Sequence, residues 1–201
     1  MSRMAVARIG WDRTKRMFER LKAHWKRRRS NAALVETLLE GIAAAARAPA
    51  LYTRLGVADT VWGRFEMMAL HVFLFEHRAK SGGEALRAMA QELVDAYFHE
   101  LDSTLRELGI GDASVPKRMK KLGRMVYGRW QAYGAALDAG DRDAMAEALR
   151  RNVYAEGGDP EGAAELAAYV DRSFAHLGTI DDAALLRGRI AFPDPTALEA
   201  A

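Results

Sequence analysis

Residues 61–80 carry apolar side chains around most of a helix, and this feature constrains the fold most. Val61, Phe65, Met68, Val72 and Phe75 recur at i, i+4, i+7, i+11 and i+14, and Met67, Leu70, Phe73 and Leu74 widen the stripe. A helix apolar over so much of its circumference must be surrounded, at the centre of a bundle or by a partner. Its densest run, Met67–Phe75, is interrupted by His71. That run is far short of the roughly 20 residues a membrane-spanning helix needs, so the chain reads as soluble or peripheral.

The flanking segments repeat the same period, and none alternates with a period of two. Asn31 precedes a helix over about 32–47 with Leu34, Val35, Leu38, Leu39 and Ile42 inward, ended by Pro49. Asp59 or Thr60 caps the apolar helix. Gly82-Gly83 starts a long helix to Leu108, with Leu86, Ala90, Leu93, Tyr97, Leu101 and Thr104 on its core stripe. Pro116 opens another to about Leu137, Asp141 caps a shorter one to Val153, and a last helix covers about 161–177. The expectation is an all-α single domain of six or seven helices: a basic amphipathic arm over 1–30, a helical domain over 31–188 and an irregular tail over 189–201.

Charge is unevenly placed. Residues 1–30 hold eleven Lys or Arg against Asp12 and Glu19, a net +9 in a chain of net +3, which leaves −6 for the remainder. Trp11, Phe18, Leu21 and Trp25 share one helix face among these cations, which end in Arg27, Arg28 and Arg29. An apolar stripe flanked by basic residues suits the surface of an anionic membrane. The competing reading is that the stripe docks on the protein's own core.

No site of chemistry converges. The chain has no cysteine, which excludes disulfides, thiol nucleophiles and cysteine-ligated zinc. Asp95, His99 and Asp102 share a face and could hold a metal, but a solvated stripe, with Asp102 paired to Arg106, is the stronger reading. His71 could ligate haem iron, but a satisfied core histidine is the commoner case. The serines form no nucleophile motif, and Gly109-Ile110-Gly111 lacks the residues of a phosphate loop. Lys117, Lys120, Lys121 and Arg124 share a face at a helix N-terminus, where cations oppose the helix dipole. They are a candidate docking face, against a plain solvated face. Met67, Met68, Met119 and Met125 are adaptable apolar side chains that suit a variable client, against core filler.

Several blocks occur in the order of a known family: Leu55-Gly56-Val57, Asp59-Thr60, Gly63-Arg64-Phe65, Leu70-His71, Leu93–Phe98, Leu105–Asp112, Val115-Pro116-Lys117, Tyr127-Gly128-Arg129 and Arg151–Tyr154. With them the chain resembles the ubiquinol–cytochrome c chaperones over about Ala45–Val153. Ala58 stands where that family often has proline, and the arm and the region after Glu156 lie outside the likeness. The resemblance implies an assembly factor rather than an enzyme, with newly made cytochrome b as client and no cofactor or metal. In mitochondria such proteins work with a small partner and near the ribosome. It implies a cytoplasmic protein peripheral to the inner membrane, without specific DNA binding. An apolar groove drawing on helices 60–80 and 116–137 would receive the client. At the turn of Asp59, Gly63 and Arg64, the arginine is expected to be partly buried and paired with Asp59 or Asp112.

Overall fold

The structure is a computed structural model that describes residues 31–107 and 114–197. The described residues form α1 (31–46), α2 (Pro49–Thr53), α3 (Val61–Lys80), α4 (Glu84–Glu107), α5 (Val115–Ala139), α6 (Arg142–Asn152), α7 (Ala163–Thr179) and α8 (Asp182–Leu185). A 3-10 turn, Pro160–Gly162, leads into α7. Among the described residues the only β pairing is an isolated bridge, Val57 to Gly158. The domain is all-α, as the periodicity predicts.

The apolar helix is central. α3 packs on α4, α5 and α7, and α6 fills the angle between α5 and α7. Met67, Val72, Phe73, Leu74 and Phe75 are fully buried and Leu70 nearly so, because neighbours lie on each side of the helix. Caps fix its ends and those of its neighbours. The Thr60 hydroxyl accepts from the Gly63 N–H at 3.1 Å, and the Asp141 carboxylate accepts from the Ala144 N–H at 2.8 Å. Beyond α3, Arg78 donates to the carbonyls of Leu177 and Ile180 and to Asp182. Asp182 in turn accepts from the Gly83 N–H at 2.7 Å, so one arginine and one aspartate tie the α3–α4 turn to the C-terminal end of α7.

Two short elements escape the periodicity. Pro49, expected only to end the preceding helix, sits in the first turn of α2, where its missing N–H costs nothing. α8 is a single turn capped by Asp181. Residues 189–197 carry no helix, but they lie on the bundle: the Phe192 ring meets His71 edge-on at 5.0 Å, and Arg172 donates to the Pro195 carbonyl.

Candidate functional site

The segment before α3 is held by backbone contacts that leave no room for a side chain. Gly63 faces the turn closely: a Cβ there would lie 2.0 Å from the Ala58 carbonyl oxygen. Across the turn, the Asp159 N–H donates to the Gly56 carbonyl at 2.8 Å and the Tyr154 hydroxyl to the Leu55 carbonyl at 2.6 Å. Gly158 completes the clamp at φ +95°, a conformation that favours glycine. The turn is thus pinned to the loop before α7, and this fixes where the first turns of α3 point.

They point into a groove of about 1240 Å³. α1 forms one wall and the C-terminal half of α4 the other; Trp62, Phe65 and Met68 of α3 form the floor, and Leu122 closes it from α5. Ordinary small-ligand pockets hold roughly 300–1,000 Å³, so this groove has the size of a polypeptide segment. Trp62 and Phe65 stack with ring centroids 5.0 Å apart. Val61, at the mouth, is 81% exposed. The Trp62 indole N–H and Tyr97 hydroxyl are buried at the base without a hydrogen-bond partner among the described residues.

An ion pair underlies the floor. Arg129 of α5 donates to Glu66, which is almost fully buried, and the guanidinium carbon lies 5.5 Å from the Trp62 ring centroid. Burial pushes the Glu66 carboxyl up to about 7, against the pull of Arg129. The rim is acidic: Glu36, Glu40, Glu92, Asp95 and Glu100 line the groove against Arg47 and Arg64.

The turn arginine differs from expectation. Arg64 meets Asp59 at 2.7 Å, but both side chains are more than half exposed, because Arg64 leaves α3 on the side facing solvent at the rim. Asp112 lies outside the described residues. Met67 also differs: it is fully buried and offers a partner nothing, since one residue along the helix turns it about 100° away from Met68, which lines the floor. Met119 and Met125 are half-buried, and neither lines the groove. The apolar surface therefore comes from α1, α3 and α4, with only Leu122 from the expected 116–137 helix. Lys117, Lys120, Lys121 and Arg124 are exposed. Trp11, Phe18, Leu21, Trp25, Arg27, Arg28 and Arg29 lie outside the described residues.

The groove walls were missed because their signal resembles that of a core. Leu101 and Leu105 continue the α4 stripe past Tyr97, where the bundle covers them only in part, so the same period marks buried positions first and groove positions later. The other candidates are structural. Both His71 nitrogens are occupied: Nδ1–H donates to the Met67 carbonyl at 2.7 Å and Nε2 accepts from the Tyr169 hydroxyl at 2.7 Å. Asp102 pairs with Arg106 and Asp95 accepts from Gln91, and among the described residues no group of three or more possible ligands converges on a metal position.

His71 and Glu66 make a pH prediction. Burial lowers His71 to about 4 from an ordinary 6.5. The folded state therefore binds fewer protons than the unfolded state between those values, and stability falls as pH drops through that window. Glu66, raised from 4.5 to about 7, acts in the opposite direction: it loses stability as pH rises from 4.5 to 7. Where the windows overlap, the two slopes cancel in the parent. In Glu66→Gln the His71 slope, up to about 1.4 kcal/mol per pH unit, is expected to emerge in urea titrations between pH 4.5 and 6.5. A variant profile parallel to the parent's would refute it.

A helical bundle carrying an open, polypeptide-sized apolar groove is the class of protein this geometry defines. The chain belongs to the ubiquinol–cytochrome c chaperone family, which it matches over residues 53–192, well beyond Tyr154 where the recognisable motifs stop. It is 25% identical over 136 residues to the ubiquinol-cytochrome-c reductase complex assembly factor 1 of Xenopus laevis, covering 67% of this chain and 68% of that protein. The crystal structure of the Cbp3 homolog from Brucella abortus superposes with a TM-score of 0.80 at 46% identity, over 89% of this chain and 99% of that one. The protein is a chaperone of cytochrome bc1 complex assembly. Among the described residues no helix is long and apolar enough to cross a membrane.

Proposed function

We propose that this chaperone binds newly made cytochrome b and holds an apolar segment of it in the groove while the bc1 complex is assembled. The observation that carries the reading is the apolar floor of Trp62, Phe65 and Met68, left uncovered by the described residues between α1 and α4. A membrane protein awaiting insertion presents apolar helices, and a helix laid in a groove is a recurring mode of recognition. The chaperone acts by binding and not by catalysis, at the cytoplasmic face of the inner membrane and close to the ribosome. The exposed cations of α5 form a second, polar contact for the same assembly.

Co-purification from membranes after mild crosslinking tests this. The full protein is expected to recover cytochrome b. Leu101→Glu, which places a charge on a half-buried groove wall, is expected to lower that recovery about tenfold, the equivalent of about 1.4 kcal/mol, at a temperature where its thermal denaturation curve shows the variant still folded. Undiminished recovery by Leu101→Glu would remove the client from the groove. Recovery of RNA or lipid without cytochrome b would replace the reading with that of an adaptor.

A further inference from the structure

We propose that the groove takes an apolar polypeptide segment that carries lysines or arginines at one end, with that basic end beside Glu36, Glu92 and Asp95. This rests on the reading of the groove as the client site, and adds the chemistry and the direction of the segment it holds. Three observations carry it.

The first is the sign of the rim. Glu36, Glu40, Glu92, Asp95 and Glu100 line the groove and are exposed, and none of them forms an ion pair among the described residues. Glu92 accepts from the Asn31 amide and Asp95 from the Gln91 amide, both neutral donors. The five acids face two arginines, one of which is held by Asp59. A cationic segment finds complementary charge here, and an acidic one meets like charge.

The second is that the charges are sorted along the groove. Asn31 meets Glu92 at 3.2 Å, which joins the start of α1 to α4, and Glu36 and Asp95 lie about one turn further along their helices. The arginines gather at the opposite end. The Tyr52 hydroxyl donates to the carbonyl of Ala46, the neighbour of Arg47, and the Arg64 guanidinium lies 5.8 Å from the Tyr52 ring centroid. Between the two ends, from Ala32 to Arg47, the wall is about 22 Å long and accommodates a helical segment of about 15 residues. Membrane-spanning segments carry their lysines and arginines mainly at the cytoplasmic end, which is the same asymmetry.

The third lies at the base. Tyr97 lines the groove at 2% exposure, and its hydroxyl has no partner among the described residues. A buried donor without an acceptor is costly. An occupant that brings a carbonyl or hydroxyl oxygen relieves that cost, whereas an acyl chain does not, so the base favours a polypeptide over a lipid tail.

Fluorescence anisotropy with the full-length protein tests this. The probe is a helical peptide of about 15 leucines and alanines with one serine and a lysine tail, compared with the same peptide acetylated on its lysines. Exposed ion pairs are individually weak, so the lysine peptide is expected to bind about tenfold more tightly. In about 1 M salt, where the screening length is about 3 Å, the preference is expected to fall below about twofold. Glu36→Gln with Asp95→Asn is expected to remove the preference, and Asp143→Asn with Glu165→Gln, exposed acids outside the groove, to keep it. A photoreactive residue beside the lysines is expected to label residues 32–40 and 92–96 more than 43–47 and 61–65. Equal affinities, a preference that survives Glu36→Gln with Asp95→Asn, or reversed labelling overturns the proposal. So does peptide binding that weakens as protein concentration rises, which assigns the groove to a second copy, or displacement of the peptide by a fatty acid, which assigns it to lipid. Leu101→Glu separates the two readings. If it weakens both peptides and neither is preferred, the groove reading stands and the charge proposal falls; if it weakens neither, the peptide binds elsewhere and both fall.

Discussion

Gly63→Ala is expected to destabilise the protein by roughly 3–5 kcal/mol and to lower Tm by about 10 °C or more. The added methyl would sit 2.0 Å from the Ala58 carbonyl oxygen and 3.1 Å from its carbon. Both are backbone atoms, and neither can give way by rotating. The turn cannot retreat, because Val57 bridges to Gly158 and Gly56 is bonded to Asp159. The first turn of α3 must therefore move, and with it the Thr60 cap and the Trp62–Phe65 stack at the groove floor. Gly128→Ala is the matched control. It lies in the exposed interior of α5, with nothing within 4 Å of the new methyl, and is expected to be neutral or stabilising by up to about 1 kcal/mol. Chemical and thermal denaturation of the two variants measures the difference. A Gly63→Ala protein melting within a degree or two of Gly128→Ala would mean that the contact is soft.

Most of the helices were legible because each carries its own period and punctuation. The α3 stripe, the Gly82-Gly83 break, the Asp141 cap and Pro116 are local signals, and their elements lie where these put them. What stayed hidden depends on residues far apart in the chain. Whether Leu101 is core or groove is decided by how far α1 and α5 reach along α4, which no window on α4 encodes. Met67 and Met68 look alike in sequence, yet neighbours supplied from elsewhere in the chain bury one completely and leave the other on the floor. Arg64 finds a partner, but its burial depends on what lies above the rim. α2 and α8 span too few turns to show a period. The Glu66–Arg129 pair joins positions 63 residues apart, each reading as an ordinary charge on its own helix.

That pair carries the second large effect. Arg129→Ala removes the guanidinium and leaves Glu66 buried beneath the groove, and loss of one partner of a buried pair costs about 3–5 kcal/mol. The loss also has a pH signature. In the parent, burial holds the Glu66 carboxyl at about 7 with Arg129 pulling it down. Without Arg129 only the upward push remains, so the folded variant keeps its proton to a higher pH. At pH 5 the carboxyl is protonated in both folded proteins, and the variant lacks mainly a hydrogen bond and the packing of Arg129 on Trp62. Above pH 7 the parent gains a paired carboxylate, whereas the variant must either retain a proton against solution or bury an unpaired anion. The stability difference is therefore expected to widen from pH 5 to pH 8 by about 1.4 kcal/mol for each pH unit between the two folded pKa values. Urea denaturation at these two pH values measures it. A difference independent of pH would mean that Glu66 is ionised or neutral in both proteins throughout. Glu66→Gln with Arg129→Ala, which removes the titrating group, is expected to abolish the widening and to recover part of the loss at pH 8, since a neutral amide is cheaper to bury than an unpaired carboxylate.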